Sequence, residues 1–166
     1  MEELESAALS APLLLTPEGY KSLQQELENL TLVKRAEIAE RLRDSKQHGE
    51  FSEDNSELDE VKFEQAIVEN RISELKAIFA GAHILENENI PTDHVGIGSY
   101  VEVQDSDRGV KFEVRLVSSI EANPEEDLIS NESPMGIALF GHKAGDTIEF
   151  EAPVGKLRYT LLGIRK

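Results

Sequence analysis

Apolar positions along this chain follow two different periods. From Thr16 onward they fall at Tyr20, Leu23, Leu27 and Leu30, three or four apart, then less regularly at Val33, Ile38 and Leu42. That spacing marks one face of an α-helix. Three signs place its start: Thr16 as N-cap, Pro17 at the first helical position and Glu18 in the first turn. The helix is expected to run to about His48, with Gly49 just beyond its C-cap. A second helix carries Leu58, Val61, Gln65, Val68, Ile72, Leu75 and Phe79 in strict alternation of three and four, and ends near Gly81. Gln65 reads as the single polar, register-setting position of that seam. The few residues between the helices suit an αα-hairpin connection. The pattern therefore predicts an antiparallel coiled-coil hairpin over 16–85. Helices of roughly 30 residues make it on the order of 45 Å long.

The character then changes. Residues 1–15 have no clear period and are expected to form a flexible lead-in, and the polar stretch 86–96, with Pro91 and Gly96, a linker. From 97 to 166 the period becomes two. Tyr100–Val103 and the alternating Phe112, Val114 and Leu116 flank a DSDRG turn, and TIEF and Leu157, Tyr159, Leu161 flank a PVG turn. Both read as hairpins. Between them Ser133 as N-cap, Pro134 behind it and Gly141 as stop predict one short helix packed on the sheet. The fold class is α+β, with an N-terminal helical hairpin and a small C-terminal α+β domain.

Composition narrows the function. The net charge of −16 over 166 residues argues against general binding to nucleic-acid phosphates, an affinity that comes from Lys and Arg displacing counterions. Cysteine is absent, which excludes disulfides, thiolate metal sites and cysteine catalysis. The short apolar run in SAALSAPLLL has an acidic flank and fits neither a secretory signal nor a membrane span. A cytoplasmic, monomeric protein without membrane association is expected.

The turn of the hairpin, HGEFSEDNSELDE, holds the candidate chemistry. Glu50, Glu53, Asp54 and Glu57 cluster there, with Asp59 and Glu60 a turn further on. Acids in the first turn of a helix are favoured by its dipole, and Ser52 or Asp54 could serve as N-cap. One or two carboxylates would suffice for that. The rest repel one another unless an external cation neutralises them. Mg²⁺ is such a cation, and one or two carboxylates plus phosphates commonly hold it. Carboxylates on a projection would thus complete a metal site belonging to another molecule.

Three segments carry a family resemblance: LTPEGY with its Leu-rich helix, HGEFSEDNSELDEVKFEQAIVENRI, and ISNESPMGIALFGHKAGD. In the last, Ser130, Ser133-Pro134, the small Gly136 and Ala138, Gly141 and Gly145-Asp146 stand at the family spacing. From Leu15 onward the chain resembles the Gre family of bacterial transcript-cleavage and elongation factors (the GreA/GreB type). The resemblance implies a coiled coil that enters the secondary channel of RNA polymerase, and an FKBP-like C-terminal domain that docks at the channel rim. It implies an accessory factor, not an enzyme, with no cofactor of its own. The polymerase, with Mg²⁺ at its active centre, would hydrolyse the backtracked 3′ end of the nascent RNA. Glu50 and Glu53 would share that ion as metal ligands, and Glu50, Glu53 and Asp54 form the candidate catalytic set. Lys46 and Lys62 match basic positions near the RNA, though each also reads as an ordinary helix-surface lysine. Glu132, Ser133 and Pro134 match the docking segment, where Ser followed by Pro also reads simply as a helix start.

Two departures stand out. Glu50 occupies a position where the family has Asp, and one extra residue, most simply Asp54, lies between Gly49 and DEVKFEQ. An altered acidic tip fits a second function, a polymerase inhibitor that does not cleave. A third, of another class, is an FKBP-like prolyl isomerase or chaperone module, which needs a pocket lined by several rings.

Overall fold

The computed structural model describes residues 13–49 and 56–166. The chain divides into two compact units: a helical one, Tyr20–Ala82, and a sheet one, His83–Lys166 with the N-terminal residues up to Gly19. The predicted α+β class and helical hairpin are both present.

In the helical unit α1 (Pro17–Asn29) continues through a π-helical turn, Leu30–Lys34, into α2 (Arg35–Gly49), and α3 (Ser56–Gly81) runs antiparallel to them. Ile38, Val61, Val68 and Ile72 form the buried cluster, with Leu27, Leu30 and Leu42 packed on it. Leu30 and Ile38 are eight positions apart, which in an unbroken α-helix puts them about 80° out of phase. The π-turn absorbs the extra residue. Arg35 N–H donates to Leu30 O, five residues back, and Thr31 Oγ1 donates to Leu27 O at 2.8 Å. The irregular spacing of the first helix is therefore one continuous seam with a phase reset. Its cost is apolar exposure, 74% for Leu32 and 44% for Val33.

Deleting Leu32 is expected to join α1 and α2 as one α-helix and move the melting midpoint by no more than about 3 °C. Inserting an alanine after Leu32 carries Ile38 and Leu42 about 100° off the seam and should lower it by about 10 °C or more. Thermal melts followed by circular dichroism separate the two outcomes.

Gln65, expected on the seam, is exposed. The packed face passes directly from Val61 to Val68, and at that level the Arg41–Glu64 ion pair bridges the helices. Arg35–Glu69 and Arg71–Glu26 also cross between helices. All three pairs are a third or more exposed, so each adds about 1 kcal/mol at most. Tyr20 and Phe79 meet edge to face at 5.2 Å.

The sheet unit is built on a five-stranded sheet in the order β5-β4-β3-β7-β6. Its strands are β3 (Tyr100–Asp105), β4 (Lys111–Val117), β5 (Leu128–Ser130), β6 (Thr147–Ala152) and β7 (Gly155–Arg165). Both predicted hairpins form, with Val103 opposite Phe112 and Phe150 opposite Leu157. The inward residues Val101, Val103, Val114, Leu116, Ile148, Tyr159 and Leu161 make the core with Leu139 of the short helix α4 (Pro134–Leu139). β5 runs parallel to β4, an edge strand too short for alternation to reveal.

Two sequence expectations do not match the sheet unit. Residues 86–96, expected to be a linker, are packed: Ile90 and Val95 are buried, Val95 N–H donates to His142 O, and Gly141 N–H donates to Val95 O. Their many polar neighbours cover the outside of a segment held by two apolar anchors. Within the expected lead-in 1–15, Leu13–Leu15 form strand β1, paired with β2 (Ala82–Ile84), and Leu15 is fully buried.

The first turn of α1 belongs to this unit. Thr16 caps it as expected, its Oγ1 accepting from Gly19 N–H at 3.1 Å. The Glu121 carboxylate accepts from both the amide and the hydroxyl of Thr16. It lies so close that a Cβ on Gly19 would fall 1.7 Å from Glu121 Oε1. Arg115, a buried guanidinium, donates to Gly98 O at 3.1 Å and to Glu18 at 3.2 Å, and stacks 4.6 Å from the Tyr100 ring centre. Backbone hydrogen bonding at the helix start, and then the Arg115 charge, hold the Glu18 carboxyl below the usual carboxylate range. A depressed folded-state pKa stabilises above that range, and the gain is lost as the pH falls through the folded value. Wild type and Glu18→Gln should therefore differ in urea midpoint at neutral pH and converge as the pH falls through and below the carboxylate range.

Candidate functional site

The hairpin end is reached by α2, which runs to Gly49, and α3, which starts at Ser56. Glu50, Glu53 and Asp54 lie outside the described residues. The part of the acidic cluster on α3 is described: Glu57, Asp59 and Glu60 are exposed in its first turns. At the N-terminus of a helix they interact favourably with its dipole.

Lys46 and Lys62 are exposed, and neither forms an ion pair with a described residue. Lys21, Arg43 and Lys76 share that condition, so the absence of a partner does not single the two out. Among the described residues no three His, Asp or Glu side chains are placed to hold a metal ion. No helix among them is long and apolar enough to cross a membrane.

The second candidate region, Ser130–Gly136, is built by local hydrogen bonds. Ser130 Oγ accepts from Glu132 N–H at 3.0 Å. Ser133 Oγ donates to Ser130 O at 2.6 Å and accepts from Gly136 N–H at 3.1 Å, which makes it the N-cap of α4. Pro134 stands at the first helical position, where its missing N–H costs nothing. Gly136 is buried, and a Cβ there would fall 1.9 Å from Ser130 O. The Ser130, Ser133 and Gly136 spacing is thus one interlocked turn. It holds Glu132 and Pro134 outward, both exposed, with Ser133 half-buried between them.

The motif's far end is fixed similarly. The Asp146 carboxylate accepts from Lys143 N–H at 2.9 Å and meets His142 Nδ1 at 3.1 Å. The Lys143 amide first, then His142, holds that carboxyl below its usual range. Replacing Ser133 by alanine removes the cap and leaves the Ser130 carbonyl short of one donor. A loss of about 1–2 kcal/mol is expected in denaturant unfolding of the sheet unit.

Ring placement bears on the isomerase reading. Phe112 and Phe150 both pack on Tyr159 at the core, with 5.5 and 5.4 Å between ring centres. Tyr100 is covered by the Arg115 and Arg165 guanidiniums. Two of the cavities among the described residues of this unit have a ring in their lining. One, of about 310 Å³, is lined by Tyr100, Glu113, Arg115 and residues 126–128. The other, of about 260 Å³, includes Phe140. Each offers a single ring, which does not make a proline-binding cage.

Comparison with known proteins adds to this geometry. Residues 13–84 match the family described as "Transcription elongation factor, N-terminal", and residues 90–166 match "Transcription elongation factor, GreA/GreB, C-term". The chain is 45% identical over 158 residues to transcription elongation factor GreA of Thermoanaerobacter pseudethanolicus, covering 95% of this chain and all of that one. It is 46% identical over 159 residues to the GreA of Acetivibrio thermocellus, covering 96% and 99%. Among solved structures, GreA factor homolog 1 (Gfh1) of Thermus thermophilus is 34% identical over 93% of this chain and 99% of that one, with a TM-score of 0.43.

Proposed function

Because this chain belongs to the GreA/GreB family of transcription elongation factors, we propose that it binds RNA polymerase and stimulates hydrolysis of backtracked RNA by lending carboxylates to the polymerase active centre. The observation that carries this reading is the hairpin itself. Two helices, packed along one seam, converge on a short connection whose sequence is dominated by acids. α3 alone, at 26 residues, is about 39 Å long, enough to reach far into a channel. The hydrolytic machinery is the polymerase's own, so this protein is an accessory factor.

In the proposed mechanism Glu50 and Glu53 present oxygen ligands toward a Mg²⁺ ion that the polymerase holds. When bound, that ion lowers the pKa of water and steadies charge on phosphate oxygens. The chain's task is to place its carboxylates and keep them ionised. Lys46 and Lys62 lie on the two helices near the same end and face the phosphates of the extruded RNA. Glu132, Ser133 and Pro134 dock the sheet unit on the polymerase.

A stalled, backtracked elongation complex with labelled RNA tests the reading. Addition of this protein with Mg²⁺ should release short 3′ fragments and restore elongation, and nothing should be cleaved without polymerase. The extra tip residue and Glu50 support a second reading, inhibition without cleavage. Slower nucleotide addition with no 3′ shortening would decide for it.

A further inference from the structure

The larger cavity of the sheet unit, about 310 Å³, lies where β3, β4 and the start of β5 meet. That volume reaches the lower end of small-molecule sites. In the smaller cavity, whose wall includes Leu13, Ile97 and Phe140, Glu132 is the one charged lining residue. The larger one is lined by both signs of charge.

Arg115 supplies the positive charge, on a side chain only 7% exposed. Its Nε donates to Gly98 O and its Nη1 to Glu18. A guanidinium carries five N–H donors. The other three have no acceptor among the described residues, on a side chain that forms part of the cavity wall. Buried donors are rarely left so.

Glu126 and Asp127 supply the uncompensated negative charge. Glu113 is already matched, its two oxygens accepting from Arg165 at 2.9 and 2.6 Å. Glu126 and Asp127 are exposed and have no ion pair with a described residue. Asp127 is pinned to the guanidinium's own strand, its carbonyl accepting from Arg115 N–H at 2.9 Å. It also holds a left-handed backbone, φ 59°, which is uncommon outside glycine. Val114, Leu128 and Tyr100 complete the lining.

A complementary ligand needs an anionic group for the spare guanidinium donors, a cationic one for the carboxylates and a short apolar body. A simple anion would be repelled by the two acids, and a simple cation would leave the Arg115 donors unpaired. We propose that this cavity binds a free α-amino acid with an aliphatic side chain. Its carboxylate sits on Arg115, its ammonium is held by Glu126 and Asp127, and its side chain rests against Val114 and Leu128. All of these residues belong to the sheet unit, and none has a part in the proposed action on polymerase.

Titration of the isotope-labelled full chain with L-leucine, followed by NMR, tests this. Amide signals of residues 113–115 and 126–128 should shift saturably, with a dissociation constant of about 1 mM or below. Isocaproate, which lacks the ammonium, and isoamylamine, which lacks the carboxylate, should each bind about tenfold more weakly or worse. Glu126→Gln combined with Asp127→Asn alters two exposed side chains, and asparagine tolerates the left-handed backbone, so the fold is kept. That double variant should weaken leucine binding about tenfold, with its melting curve unchanged. No saturable shift up to about 20 mM leucine, shifts confined to residues outside the cavity, equal binding of the three compounds, or an unaltered affinity in the double variant would each overturn the proposal.

Discussion

Replacing Glu53 by alanine is expected to slow release of 3′ fragments from backtracked complexes about 100-fold or more, with affinity for polymerase within about twofold of wild type. The size follows from what one preorganised electrostatic group contributes at a site of developing charge, about 10²–10³ in rate. The selectivity follows from when the contact matters. A carboxylate that would help hold the polymerase's Mg²⁺ acts mainly in the transition state, so its loss lowers the rate and leaves ground-state binding in place. Glu53→Gln should behave almost as badly, because an amide keeps the shape and loses the charge. Raising Mg²⁺ should restore part of the rate in both variants. Glu50→Ala should show the same pattern. Glu50→Asp, with the shorter side chain of the family, should equal or exceed wild type. Weakened binding in step with the lost cleavage would instead make Glu53 a docking residue.

Gly136→Ala should be the most disruptive single substitution in the sheet unit, costing about 3 kcal/mol or more. The added methyl would meet Ser130 O at 1.9 Å and Ser130 C at 2.8 Å. These are backbone atoms of β5, and β5 pairs with β4 at Leu116–Ile129 and Val117–Ser130. Relief requires moving a strand or lifting α4, which carries the buried Leu139, off the sheet. Denaturant unfolding followed by tyrosine fluorescence reports on this unit, since Tyr100 and Tyr159 belong to it. An unchanged midpoint would mean that β5 yields freely. The expected contrast with Ser133→Ala is informative, because removing a cap hydroxyl leaves the packing of α4 in place.

The long elements were legible because each buries a single face over many residues. Six apolar positions of α3 at heptad spacing leave little choice, and β3, β4, β6 and β7 alternate over enough length to declare themselves. The π-turn was present in the sequence as a phase error between Leu30 and Ile38. Against a single helical period such a phase error shows only as irregular spacing. β1, β2 and β5 have three residues each, too few for any period. The segment 86–96 misled through composition: two buried side chains, Ile90 and Val95, outweigh a polar majority in deciding where backbone lies. The site divides similarly. The Ser130–Gly136 turn was visible as a motif, and the structure supplies its reason in the Ser133 cap and the Gly136 approach. The cavity beside it was invisible, because Leu13, Ile97 and Phe140 are brought together by the fold and are distant in the chain.

The bond between Thr16 and Glu121 joins residues 105 apart in sequence, and this has a consequence for the growing chain on the ribosome. At about 5–20 residues per second, Thr16 waits on the order of 5–20 s for its partner to be made. During that interval α1, α2 and α3 are already out, and their contacts are closer in sequence, so the hairpin can close first. β7 lies between β3 and β6 and is the last of the described strands to be synthesised. The sheet unit therefore folds late and as a whole, capturing an N-terminal strand that left the exit tunnel long before it.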